Sequence, residues 1–120
     1  MKKDVKIFIL HIADNITAIE KFTKNLSFGN FKKDEKTVYA TVRAVEIIGE
    51  AVKNIPQSFR NKHKEIEWKK ITGTRDKLIH EYFGVNLELT YKIVKEDIPE
   101  LKQKISKIIK DLKINRIDYI

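Results

Sequence analysis

WKKITGTRDKLIHEYFGVN, Trp68 to Asn86, is the stretch that decides how the rest of the chain is read. At about 3.6 residues per turn, Trp68, Ile71, Leu78 and Ile79 align as an apolar stripe, the pattern of a helix with one face in a core. Arg75 falls in the middle of that stripe. A guanidinium does not shed its charge, so a core-facing arginine is costly unless carboxylates or a bound anion accompany it. His80 lies about 140° round the helix from Arg75, off the stripe, and Tyr82 lies about two turns below Arg75 on the same side. Asp76 shares the face of His80 about one turn above it, placed to orient the imidazole and favour its charged form.

Spacing alone leaves two readings open. In the first, Arg75 is a structural cation that snorkels or meets a carboxylate, and His80 is an ordinary surface histidine. Glu46 and Glu50, one turn apart beside an apolar seam, are the candidate carboxylates. In the second, Arg75 and His80 are a site: the guanidinium grips an oxyanion with two parallel hydrogen bonds, and the imidazole moves a proton near neutral pH.

The wider string favours the second. GTRDKLIHEYFGV resembles the signature of the HepT-like ribonucleases of the HEPN superfamily, R-x-x-x-x-H-x-Y, with Arg75, His80 and Tyr82 in the three motif positions. Asp76 stands where that family carries Asn or Asp. IIGEAVKNIP at 47–56 and the DIPEL step at 97–101 extend the resemblance over roughly residues 38 to 101, the flanks matching by pattern only. The resemblance implies a homodimer with a composite site at its interface, RNA as substrate, and a toxin role beside a minimal nucleotidyltransferase antitoxin. It also implies that Tyr82 accepts AMP from that partner.

Chemistry read from the residues is compatible. Cleaving RNA without a metal needs an acid–base group and a stabiliser of the charge that builds on phosphorus, while the 2′-OH serves as nucleophile. One histidine cannot easily be base on one side and acid on the other, and two copies about a two-fold axis remove that difficulty. No glycine-rich phosphate loop, H-E-x-x-H or G-x-S-x-G is present, and histidines at 11, 63 and 80 do not make a metal site, so neither metal nor cofactor is expected. Two other readings stay open: a binding module in which Arg75 and His80 hold phosphate without cleaving, and a structural subunit in which the motif is an interface ion-pair cluster.

At 120 residues the chain is read as one domain over 1–120. It has no cysteine, which excludes a disulfide framework and thiolate metal sites and suits a cytoplasmic setting. The opening MKKDVKIFILHIADNI is broken by His11 and Asp14 and is not read as a signal peptide, and nothing reaches membrane-span length. The formal charge of +8 favours polyanionic partners, but a lysine-, glutamate- and isoleucine-rich surface laced with ion pairs accounts for it equally well.

The fold expected is all-α, an antiparallel bundle of about five helices forming a two-fold homodimer. Asp4 caps a helix over 4–25 with Val5, Ile9, Ile12, Ile16, Ile19 and Phe22 inward. Residues 25–33 are read as loop. Asp34 opens a second helix to about Ile55, stopped by Pro56, with Val38, Thr41, Val42, Val45, Ile48, Gly49 and Val52 as its seam. Gly49 there suggests a close approach by a neighbour. A short turn or helix carries Phe59 inward, and His63 is read as exposed. Trp68 starts the central helix, which Gly73 could bend, and Gly84 suits a turn. Asn86 caps a fourth helix over 87–96, and Asp97-Ile98-Pro99-Glu100 interrupts the chain before a fifth, with Leu101, Ile105, Ile108, Ile109 and Leu112 inward. The tail INRIDYI is unassigned.

Overall fold

The computed structural model describes residues 4–80 and 86–119, with the backbone alone at 79, 80 and 119. Every regular element among these residues is helical. Helix α1 (Val5–Thr23) starts where the Asp4 carboxylate accepts from the Lys6 amide, satisfying one of the otherwise unpaired first-turn donors. Its Ile9, Ile12, Ile16 and Ile19 are 0–2 % exposed. Each buried isoleucine contributes roughly 1.5–3 kcal/mol of transfer free energy, so this single line dominates the helix's attachment. Phe22 departs from the expected line at 43 % exposed, because the buried line continues from Ile19 to Thr23, 4 % exposed, and leaves Phe22 beside it. Asn25, at φ 57°, turns the chain in the left-handed region that asparagine tolerates.

The expected loop over 25–33 contains a short helix, α2 (Phe28–Lys33), capped by Ser27 Oγ on the Asn30 amide. Its signal was a single buried anchor, Phe31, too brief for any periodicity to register. Helix α3 (Glu35–Lys53) begins under an Asp34 cap on the Thr37 amide, and all seven expected seam residues are buried. α1 and α3 form the most extensive helix pair of the fold. α3 ends at the Asn54 cap, two residues ahead of Pro56, which opens α4 (Gln57–Lys62).

Helix α5 (Trp68–His80) packs on α3 and runs unbroken through Gly73. Gly84 and the turn expected at 83–85 lie outside the described residues. Asn86 Oδ1 caps α6 (Leu87–Lys92) at the Leu89 amide. The expected interruption at 97–100 is absent. A π-helical segment, Ile93–Asp97, passes directly into α7 (Ile98–Asp111), with Pro99 in its first turn where no amide hydrogen is required. The extra residue of the wide turn lets Ile93, Val94 and Ile98 all reach the core. α7 buries Leu101, Ile105 and Ile108, and the tail forms a 3₁₀ turn, Arg116–Tyr119, tied to α1 by an Arg116–Asp14 ion pair.

A second, smaller cluster of Phe31, Val38 and Val42 is closed by Leu26, Leu87 and Tyr91, whose hydroxyl donates to the Leu26 carbonyl at 2.8 Å. The all-α bundle is therefore as expected, with the added short helices taken from stretches read as connections. No helix among the described residues is long and apolar enough to cross a membrane.

Candidate active site on helix α5

Two side chains, one at the first residue of α5 and one on α4, set where α5 begins. Trp68, 6 % exposed, donates its indole N–H to the His63 carbonyl at 2.9 Å. Arg60 donates Nε to Ile55 O at 3.0 Å and Nη2 to Val52 O at 2.7 Å, adding side-chain donors to carbonyls at and just beyond the end of α3. His63 is half-buried against Phe59, ring centroids 4.4 Å apart, and lies 3.4 Å from Glu65, contrary to the exposed position expected of it. This knot fixes the α4–α5 connection and with it the register of α5 against α3.

Arg75 sits at a close approach of the two helices, against Gly49. A Cβ built on Gly49 would fall inside the contact shell of Arg75 Cβ and Cγ and 3.1 Å from Cδ. The close approach expected at Gly49 is thus real, and the visitor is the arginine stem. Only glycine leaves room for it. The Arg75 side chain is 20 % exposed, its apolar stem covered and its charge directed to the edge of the helix pair.

There the guanidinium meets two carboxylates. Nη2 pairs with Glu50 Oε1, and Nη1 donates to Asp76 Oδ1 at 3.0 Å. Of the two acids proposed for Arg75, Glu50 takes the role, and Glu46 pairs with Arg43 at 3.2 Å. Lys53 Nζ reaches the same Asp76 oxygen at 3.2 Å. These hydrogen bonds, from Arg75 first and Lys53 second, hold the Asp76 carboxyl below its ordinary value. Two cations and two anions therefore share one junction. Arg75 Nε is buried and has no hydrogen-bond partner among the described residues.

Asp76 was expected to orient His80. The backbone of α5 extends through His80, but the imidazole, and Tyr82 altogether, lie outside the described residues. What is seen is Asp76 holding Arg75 and Lys53. Lys53 was missed from the sequence although it lies one turn beyond Gly49 on α3, a spacing that brings it to the same neighbour. No group of three or more potential metal-ligating side chains occurs among the described residues.

Helix α5 thus carries an arginine on its apolar line, seated on a glycine and five positions before a histidine in the chain. The family model described as ribonuclease HepT-like matches residues 12–108. The chain belongs to the HepT-like family. A Thermococcus cleftensis protein named "Probable ribonuclease HepT" is 50 % identical over 110 residues, covering 92 % of this chain and 100 % of that one. A Methanocaldococcus jannaschii protein, named for gamma-glutamylcyclotransferase and a candidate RNase, is 47 % identical over 116 residues. That alignment covers 97 % of this HepT-like chain but 52 % of the relative, so the chain spans about half of that protein. A candidate RNase of Caldanaerobacter subterraneus is 44 % identical over 107 residues, 89 % of this chain and 96 % of its own. No solved structure matches the chain.

Proposed function

We propose that this HepT-like chain is a metal-independent endoribonuclease acting as a two-fold homodimer. The observation that carries the reading is the Arg75 seat: a largely covered, permanently charged fork held on Gly49, in a chain whose relatives are named as ribonucleases. A preorganised cation of this kind stabilises charge developing on phosphorus without reorganisation at the moment of reaction.

In the proposed reaction His80 of one protomer takes the proton of the ribose 2′-OH. The 2′-oxygen attacks phosphorus, and the P–O5′ bond breaks. His80 of the second copy supplies the proton to the departing 5′-oxygen, leaving a 2′,3′-cyclic phosphate and a 5′-hydroxyl. Arg75 grips the non-bridging oxygens as their charge grows. Asp76 and Glu50 hold the guanidinium until phosphate replaces them.

The chain is further proposed to be the toxin of a toxin–antitoxin pair, silenced when a nucleotidyltransferase partner transfers AMP to Tyr82. The added phosphate would place negative charge and bulk near Arg75 and compete for it. The test is cleavage of single-stranded RNA in excess chelator by the purified chain. Cyclic-phosphate ends and no cutting of DNA are expected. A requirement for magnesium, or cleavage of DNA, would overturn the mechanism.

A further inference from the structure

Between α4 and the start of α5 lies an open cavity of about 270 Å³ that the proposed cleavage chemistry does not use. Four cationic side chains line it, Arg60, Lys64, Lys69 and Lys70, against one acid, Glu67. Lys70 is already committed, 3.4 Å from Asp97 and 3.7 Å from Glu67, which removes both it and the only carboxylate from the balance. Arg60, Lys64 and Lys69 remain without a carboxylate within ion-pair distance among the described residues.

Arg60 is held rigidly. Its Nε and Nη2 are spent on the Ile55 and Val52 carbonyls, which fixes the guanidinium plane, while Nη1 has no protein partner among the described residues. Asn61 accepts from Gln57 at 2.9 Å through its side-chain oxygen, leaving the amide hydrogens to donate. The first turn of α5 carries no acid, so its two lysines sit at the positive end of the helix, where cations are unfavourable and an anion is favoured. Three uncompensated cations around one cavity describe a receptor for negative charge.

The cavity and Arg75 share a helix. Lys69 precedes Arg75 by about 9 Å of helix rise and lies about 120° round the axis from it, and a stacked strand advances about 3.4 Å per nucleotide, so at least about three nucleotides join the two places. Resting on the ribonuclease reading above, we propose that Arg60, Lys64 and Lys69 form a second phosphate-binding subsite that holds the RNA backbone at least about three nucleotides from the scissile bond. The subsite contributes length-dependent binding and takes no part in bond breaking. Arg60 also caps α3, so the lysines are the residues to vary.

The full chain carrying Lys64→Gln and Lys69→Gln is compared with wild type and with a Lys107→Gln, Lys110→Gln chain, which loses the same charge from exposed α7. Binding is read by fluorescence anisotropy on a twelve-nucleotide 2′-deoxy strand, which the proposed chemistry cannot cut. Cleavage is read on an RNA dinucleotide and an RNA twelve-mer. The slope of log affinity against log salt should flatten by about 1.4, roughly 0.7 for each lost contact to a single strand. KM for the twelve-mer should rise about tenfold with kcat unchanged, and the dinucleotide, too short to reach the cavity, should be cut as by wild type. The α7 variant should match wild type in both. An unchanged slope, equal effects on both substrates, or the same change from the α7 variant would overturn the subsite. Wild-type protein that binds with the predicted slope difference but cuts no RNA would overturn the ribonuclease reading and leave the subsite standing.

Discussion

Alanine at position 49 separates the seat of Arg75 from the stability of the helix that carries it. In an exposed helix interior, glycine to alanine gains about 1 kcal/mol of propensity. At Gly73 the new Cβ meets nothing within 4 Å, so Gly73→Ala should show that gain undiminished. At Gly49 the same gain is set against a Cβ driven into Arg75 Cβ and Cγ, backed by Arg75 Cδ at 3.1 Å. Overpacking of that kind costs about 1–3 kcal/mol, leaving Gly49→Ala neutral to about 2 kcal/mol destabilised. The two variants should therefore differ by about 1–3 kcal/mol, or roughly 4–12 °C in melting temperature for a chain of this size. Paired thermal melts by circular dichroism measure it. Displacing the Arg75 stem also moves its fork, and a shift of about 1 Å can cost on the order of 100-fold in rate, so Gly49→Ala should lose at least tenfold in RNA cleavage while Gly73→Ala keeps it. Equal melting temperatures together with equal cleavage would show that Arg75 does not rest on Gly49 in solution.

On the proposed mechanism, His80→Ala should abolish cleavage with the helical spectrum intact, and Arg75→Lys should not rescue Arg75→Ala, because lysine keeps the charge and loses the planar fork; a rate assay beside circular dichroism decides. Glu50→Gln should tighten RNA binding measurably by filter retention while lowering stability by less than about 1 kcal/mol, since the acid is half exposed. Asp76 has a folded pKa below its unfolded value, so its stabilising contribution is present above the ordinary carboxylate pKa near 3.8 and is lost as pH falls through the lower folded value. Melting curves of Asp76→Asn should accordingly fall below wild type at pH 7 and converge with it towards pH 2, and a constant gap would refute the assignment. Tyr82→Phe should retain cleavage but escape silencing by the nucleotidyltransferase partner with ATP, and mass spectrometry that finds AMP on another residue would move the switch elsewhere.

How much of this was legible in the sequence depended on the length over which a pattern repeats. The α1 and α3 lines run for several turns and leave little freedom of register, and every expected α3 seam residue is buried. Short helices give no such statistics: α2 is anchored by Phe31 and by Phe28 against Tyr91, and α4 by a half-buried Phe59. Pro99 misled in a different way. Proline after Asp-Ile, read at the first turn of a new helix, suggests a break before it, yet the preceding π turn carries the chain into α7 without one. At the site, Gly49 could be read as a place of close approach, and Arg75 as a charge in need of acids. That Glu50 and not Glu46 meets it depends on where α5 crosses α3, which in turn rests on Arg60 and Trp68 reaching back to main-chain carbonyls. Hydrogen bonds of that kind leave no periodic trace.

The arrangement at Arg75 also answers the objection that a fork already held by two carboxylates cannot serve a phosphate. The cation is largely covered, while Glu50 and Asp76, at 50 % and 46 % exposed, reach it from the solvent side. Without them, a permanently charged group at the edge of an apolar contact would carry a desolvation penalty with nothing to offset it. With them, the penalty is met by pairs that water already half screens, and exposed pairs of this kind hold by about 0–1 kcal/mol each. Glu50 can therefore yield its place on Nη2 to a non-bridging oxygen at small cost, while Gly49 keeps the stem of Arg75 where it is. Lys53 stands ready to retain Asp76 once the guanidinium turns to the phosphate, so Asp76 does not face the incoming charge alone. On the proposed mechanism, the acids that make Arg75 tolerable in the folded chain are the same ones whose release makes it available to RNA.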